Sequence, residues 1–237
     1  MRANASFDVL VIGSGAAGLA AGVAAERAGA RVAVATKTTL QACNSAKAQG
    51  GIQAAFGEDD SPEIHAEDVM RSSHGTADPR LVEVLTTEAP SAIHWLEEFG
   101  VEFTRQDSAG SNGQGHSSVG GYRLARCGGA TRHRLLQVGD RTGHAITKAL
   151  REAYEAGAGT ELPHHALRAL APAGNGWIAS FDTKDGHADV EAGSVVLAAG
   201  GRCFAEAETL GELSTNHPNA TGEATRIAME AGAETRD

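Results

Sequence analysis

Gly13, Ser14, Gly15, Ala16, Ala17 and Gly18 form a G-x-G-x-x-G run set directly after the apolar stretch Phe7–Ile12. In such a run the first glycine permits a tight turn and the second lets the backbone approach a pyrophosphate. The third lets a helix pack closely on its strand. The helix that starts there offers unpaired amides and a partial positive charge to phosphate oxygens. The motif alone says little, but its context is complete here: a strand before it, a helical stretch from Ala16 to Ala28, and a second strand from Arg31 to Thr36. The chemistry is dinucleotide binding. A nicotinamide-binding domain carries an acid at the end of its second strand for the ribose. Thr36 and Lys37 stand there instead, which favours FAD. A second group, Asn44 to Ile52, holds Gly50-Gly51 in a polar loop whose bare amides can meet a flavin edge or an anionic substrate.

The elements that must position these residues follow from period and punctuation. Gly29 stops the first helix. The loop from Thr36 to Gly57 is long enough to need a functional reason. Ser61-Pro62-Glu63 opens a helix through Met70, with proline at its first position. Asp78-Pro79 repeats that signal for a helix with Leu81, Val84, Leu85, Ile93, Leu96 and Phe99 on its apolar face, and Pro90 is expected to kink or divide it. Thr104 to Gly121 reads as a polar surface loop, and Thr142 to Glu155 as a helix with Ala145, Ile146, Ala149, Leu150 and Ala153 inward. Between about 160 and 192, short strand-like runs split by Gly-Asn-Gly and Lys-Asp-Gly predict a small antiparallel β-meander. Ser194–Ala198 reads as a buried strand that returns beside the first one and ends in Ala199-Gly200-Gly201, before a last helix from Gly222 to Ala231. The expected fold is α/β: one Rossmann-like, three-layer domain over residues 1–237, with a helical insertion at about 58–140.

A formal net charge of −10 with no basic stripe excludes a nucleic-acid surface. No segment has the apolar length of a membrane span, and Met1–Ser6 holds no apolar targeting core. Cys43, Cys127 and Cys203 are odd in number and too far apart for a C-x-x-C pair, which reads as a reduced, cytoplasmic protein. His164-His165 would face opposite ways on a strand, and no Cys/His spacing suits zinc, so no metal is expected.

The chain resembles the flavoproteins of succinate dehydrogenase, fumarate reductase and L-aspartate oxidase. The matching residues, in family order, are Gly13–Gly18, Thr36-Lys37, Ala48-Gln49-Gly50-Gly51-Ile52, Gly128-Gly129, Asp140–His144, Ala198–Gly201 and Thr221-Gly222-Glu223 followed by a helix. The resemblance implies FAD and hydride exchange between flavin and a C4 dicarboxylate substrate, with an iron–sulfur partner subunit that would supply any membrane association. It places Gly13, Ser14, Gly15, Ala16, Ala17 and Gly18 at the pyrophosphate and Thr36 and Lys37 near the adenosine end. It puts Ser45, Ala48, Gln49, Gly50 and Gly51 along the isoalloxazine, and Asn44, Ala199, Gly200 and Glu223 on the cofactor.

Within that family the chain departs from pattern. Asn44 stands where membrane-bound succinate dehydrogenases carry the histidine that attaches FAD, so the flavin is expected to be non-covalent. Arg126-Cys127-Gly128-Gly129-Ala130 lacks the acid that bacterial aspartate oxidases carry in this run. Glu223 replaces the family's usual aspartate. The family's substrate-binding His and Thr-Glu, and the catalytic Arg of its capping domain, are not among these 237 residues. The expectation is therefore an FAD-binding portion without its cap and without a catalytic residue of its own. Fumarate reductase/succinate dehydrogenase chemistry is the leading reading for the intact enzyme, L-aspartate oxidase the second, and an FAD-binding module without turnover the third. If these residues did turn over, His133, Arg134 and Arg141 would be the first suspects.

Overall fold

Val32–Thr36 is buried at every position, which a strand achieves only inside a sheet covered on both faces. It is the second strand from one edge of a six-stranded sheet in a computed structural model of the chain, which describes residues 5–105 and 117–235. The described residues fall into two compact units, one of 5–47 with 147–235 and the other of 48–105 with 117–146.

In the first unit β1 (Ala5–Ile12), α1 (Ala16–Arg27) and β2 (Val32–Thr36) make the expected βαβ opening, and α2 (Asn44–Lys47) is a single turn in the loop that follows. The second unit begins with the two-residue β3 (Ile52–Gln53) and continues with α3 (Pro62–Ser72), α4 (Pro79–Glu98), β4 (Ser117–Val119), β5 (Tyr122–Leu124) and β6 (Leu135–Leu136). After α5 (Thr142–Ala156) come β7 (Thr160–Pro163), β8 (Ala166–Ala173), β9 (Gly176–Thr183), β10 (Gly186–Leu197), α6 (Cys203–Leu210) and α7 (Glu223–Glu230).

The sheet order is β7-β2-β1-β10-β9-β8. β7, β2, β1 and β10 run parallel, while β10, β9 and β8 form an antiparallel meander on the same sheet. Two details differ from the expectation. β7 joins the parallel set beside β2 rather than the meander. The returning strand is also the far half of a twelve-residue β10, which pairs with β9 over 186–192 and with β1 over 190–197. One strand thus serves both parts, so the meander shares the core of Leu10, Ile12, Ala33, Ala35, Ala179, Phe181, Val190 and Ala192. α1 packs close because a Cβ on Gly18 would lie 1.9 Å from the Gly13 carbonyl oxygen. On α5, Ile146, Ala149 and Leu150 are buried as expected. Tyr154 joins them and donates its hydroxyl to the Thr160 carbonyl at 2.9 Å.

In the second unit, Ser61 and Asp78 cap α3 and α4 through their side-chain oxygens, each with proline in the first turn. α4 continues unbroken through Pro90. Its buried face is Val82, Thr86, Ala89, Ile93 and Leu96, while Leu81, Val84 and Leu85 are exposed, so the expected apolar face is corrected at its N-terminal half. Of the stretch expected to be a loop, 106–116 lies outside the described residues, and Ser117–Leu124 forms a hairpin across Gly120-Gly121, both at positive φ.

Arg134 is wholly buried and holds two carboxylates. Its Nε and Nη2 donate to both oxygens of Asp60 at 2.8 and 2.7 Å, and its Nη1 donates to Asp68 at 2.7 Å. Asp68 also accepts from the Thr131 amide (2.8 Å), the Thr131 hydroxyl (2.9 Å) and Arg71. Burial works to raise the Asp68 carboxyl, but the donors from Thr131, Arg71 and Arg134 outweigh it and hold the group below the ordinary aspartate range. His65, buried beside this cluster, is pushed towards its neutral form by burial and by Arg134. Arg134 is therefore a structural residue, and its place among the suspects for turnover is withdrawn.

Candidate functional site

The first unit holds a cavity of about 290 Å³ at the carboxyl ends of β1, β2 and β10, where open parallel sheets bind ligands. Each wall comes from a different piece of chain. The turn from β1 into α1 supplies Gly13, Ser14, Gly15 and Ala17. Gly13 takes φ +111°, and a Cβ there would meet the Ala198 carbonyl oxygen at 2.4 Å, so this floor of the cavity admits only glycine. Ser14 is buried. The first four amides of a helix lack intrahelical partners, and Ser45 Oγ accepts one of them, from Ala16, at 3.1 Å.

Thr36 and Lys37 line the cavity at the end of β2. The acid that β2 lacks is supplied from far along the chain: Lys37 Nζ donates to Glu223 at 3.0 Å and to the Thr221 hydroxyl at 2.5 Å, and that hydroxyl also donates to Glu223. Burial tends to raise the Glu223 carboxyl. The Thr221 hydroxyl, the residue's own amide and Lys37 outweigh it, so Glu223 is held ionised below the ordinary range.

The loop bearing α2 is stitched to residues 215–219. Asn44 Oδ1 accepts from the His217 amide at 2.6 Å, and Asn44 Nδ2 donates to Asn216 at 3.0 Å. Lys47 donates to the Thr215 carbonyl at 2.7 Å. Asn219 Nδ2 donates to the Thr38 hydroxyl and the Ala42 carbonyl. Cys43 lines the cavity between these contacts; burial pushes its thiol up, with partial relief from the Ala46 and Ser45 amides, so it is no nucleophile at neutral pH.

Gly13, Ser14, Gly15, Ala17, Thr36, Lys37, Asn44, Ser45, Ala199, Gly200 and Glu223 are thus brought to one cavity. Ala16 and Gly18 sit behind it in α1, one bonded to Ser45 and the other packed on Gly13. Ala48, Gln49, Gly50 and Gly51 belong to the second unit. There the Ala48 carbonyl accepts from the Gly143 amide at 2.9 Å and the Gly50 carbonyl from Gln137 Nε2 at 2.7 Å. A Cβ on Gly51 would meet the Leu136 carbonyl oxygen at 2.5 Å. Among the lining residues that reading the sequence missed are Cys43, His165, Ala166, Leu167, His217 and Asn219. A usable signal was the polar run His217–Gly222, whose types are those of a binding turn; nothing local marks 165–167. Among the described residues no cluster has metal-ligand composition, and no helix is long and apolar enough to cross a membrane.

A family model described as "FAD binding domain" matches residues 8–237. The L-aspartate oxidase of Streptomyces coelicolor is 36% identical over 241 residues, which is 97% of this chain and 38% of that protein. A fumarate reductase (CoM/CoB) subunit from Methanothermobacter marburgensis is 38% identical over 149 residues, 61% of this chain and 25% of that protein. Among solved structures, the Mycobacterium smegmatis Sdh1 complex in the apo form superposes with a TM-score of 0.81 at 29% identity, over 97% of this chain and 39% of that chain. The chain spans about two fifths of the length of such curated relatives.

Proposed function

The chain belongs to the FAD binding domain family, and we propose that it is the cofactor-holding portion of a flavoprotein that exchanges a hydride with a C4 dicarboxylate. FAD is the cofactor. When bound, it supplies a flavin ring that takes up or releases a hydride at N5. The observation that carries the reading is the cavity itself, where the glycine turn, the α1 N-terminus and the Lys37–Glu223 pair converge.

The residues present fit such a group. Glycines at 13 and 18 are enforced by contacts under 3 Å, so the turn is built for close approach. The mouth of the cavity at Gly15 is bounded by Ser45 Oγ, 3.1 Å from where a Cβ would stand. We assign the pyrophosphate to Gly13–Gly18, where the amides orient it. The adenosine ribose goes to Thr36, Lys37 and Glu223, the last a carboxylate able to accept from ribose hydroxyls. Asn44, Ser45, Ala199 and Gly200 are assigned to the remainder of the cofactor, and Ala48, Gln49, Gly50 and Gly51 to the flavin on the resemblance of their Ala-Gln-Gly-Gly run. No described residue of the cavity is assigned a catalytic role.

Succinate/fumarate chemistry is the first substrate reading. It is supported by the likeness to the Sdh1 complex and by the missing acid in the Arg126–Ala130 run. L-aspartate oxidation is the second, favoured by 36% identity over nearly the whole chain to an enzyme of that name. An iron–sulfur partner subunit, and membrane association through it, belong to the first reading. The test is anaerobic: protein loaded with FAD is reduced with dithionite, freed of excess reductant and mixed with fumarate, and oxidised protein is mixed with succinate or L-aspartate. Re-oxidation by fumarate and bleaching by succinate support the first reading, bleaching by L-aspartate the second, and FAD uptake with no response to any of the three an FAD-binding module without turnover. Protein that takes up NAD and not FAD refutes all three readings.

A further inference from the structure

We infer that His165 reads the adenine base of the cofactor, accepting a hydrogen bond from its 6-amino group; this rests on the FAD reading above. The sequence singled out His164-His165 only as a pair unfit for metal, and the structure separates the two. His164 takes φ +58° in the turn between β7 and β8, and His165 lines the cavity.

Strand order places it. The pyrophosphate belongs at the α1 N-terminus after β1, and the ribose at the end of β2. β7 is the next strand outward in the same parallel set, and His165 follows its end. The His165 amide donates to the Thr36 carbonyl at 2.9 Å, so the residue is tied directly to the ribose position. A base attached to that ribose would lie at the His165–Leu167 wall of the cavity.

The chemistry of the ring follows from its partners. His165 Nδ1 lies 2.8 Å from the Pro163 carbonyl oxygen. A carbonyl only accepts, so Nδ1 carries the hydrogen, and in that tautomer Nε2 presents a lone pair. Phe181 meets the imidazole edge to face, with centroids 5.5 Å apart and planes at 72°, which fixes its orientation. The half-buried ring therefore presents a pre-oriented acceptor rather than a donor. An acceptor suits the 6-amino group of adenine and gives nothing to a purine that lacks it.

The test compares ADP with purine riboside 5′-diphosphate, which lacks the 6-amino group, by calorimetric titration of the protein freed of FAD. Wild type should favour ADP by roughly 2- to 12-fold, the worth of one net hydrogen bond. His165→Phe should lose that preference while keeping its affinity for purine riboside 5′-diphosphate. His165→Gln, whose amide oxygen also accepts, should retain most of it. A wild-type protein that does not distinguish the two ligands overturns the assignment, even if no variant folds. So does a His165→Phe protein that weakens both ligands equally. Wild type that binds neither FAD nor ADP overturns the FAD reading itself, and the assignment with it.

Discussion

Replacing Arg134 by methionine should unfold much of what holds the second unit together. The guanidinium is wholly buried, as is Asp60, and Asp68 is nearly so. Three hydrogen bonds of 2.7–2.8 Å join the three groups. Methionine fills similar volume but leaves two buried carboxylates without their guanidinium donor. Breaking a buried pair from one side costs about 3–5 kcal/mol, a large part of the roughly 5–15 kcal/mol that holds a domain. For a chain of this size that corresponds to a fall in Tm of about 6–20 °C. The pH dependence carries a sign. Folding lowers the Asp68 carboxyl, so its contribution is present above the unfolded aspartate value near 3.9 and is lost as pH falls through the lower folded value. Arg134→Met removes one of the donors that keep Asp68 ionised. The deficit against wild type should therefore be largest near pH 7 and shrink towards pH 4, as protonation relieves the buried charge. Urea unfolding at several pH values measures this, and adding Asp60→Asn to Arg134→Met should recover at least about 1 kcal/mol. An Arg134→Met protein within 1 kcal/mol of wild type, or a deficit flat across pH, would refute the buried-triad account.

Three further outcomes test the cavity and its sheet. Gly18→Ala should destabilise the first unit by about 1–3 kcal/mol and abolish FAD uptake, because the new Cβ meets the Gly13 carbonyl oxygen at 1.9 Å and α1 must move; normal flavin loading of this variant in a spectral titration counts against the turn geometry. Acid precipitation of the FAD-loaded protein should leave all yellow colour in the supernatant, since Asn44 engages the His217 amide and Asn216 and has no nucleophilic nitrogen; flavin fluorescence on a denatured protein band would contradict this. Tyr154→Phe should cost about 0.5–1.5 kcal/mol, measured by chemical denaturation. Its hydroxyl joins the Val32 and Thr160 carbonyls where β2 and β7 begin, and a neutral result would mean water replaces it fully.

What short-range physics specifies was legible in the amino-acid sequence alone. The glycine turn, the βαβ opening, the Ser61 and Asp78 caps and the turns of the meander each depend on residues within a few positions of one another. Of the cavity-lining residues, the glycine turn and Thr36-Lys37 at the end of β2 could be named for the same reason, whereas Asn44, Ser45 and Glu223 came only from the family resemblance. Tertiary structure decided the rest. The acid beside Lys37 arrives from 186 residues away, and no local pattern distinguishes Glu223 from any other helix-starting glutamate. The apolar stripe Leu81-Val84-Leu85 has the spacing of a buried face, yet α4 turns Val82 and Thr86 inward. Arg134 stands among the suspects for turnover until Asp60 and Asp68 close around it, and His165 reads only as half of a pair unfit for metal until β7 joins the parallel set beside β2. In each case burial and partner are set by which segments the sheet order makes neighbours. That is a sum over contacts remote in sequence, which residue type and spacing do not encode one position at a time.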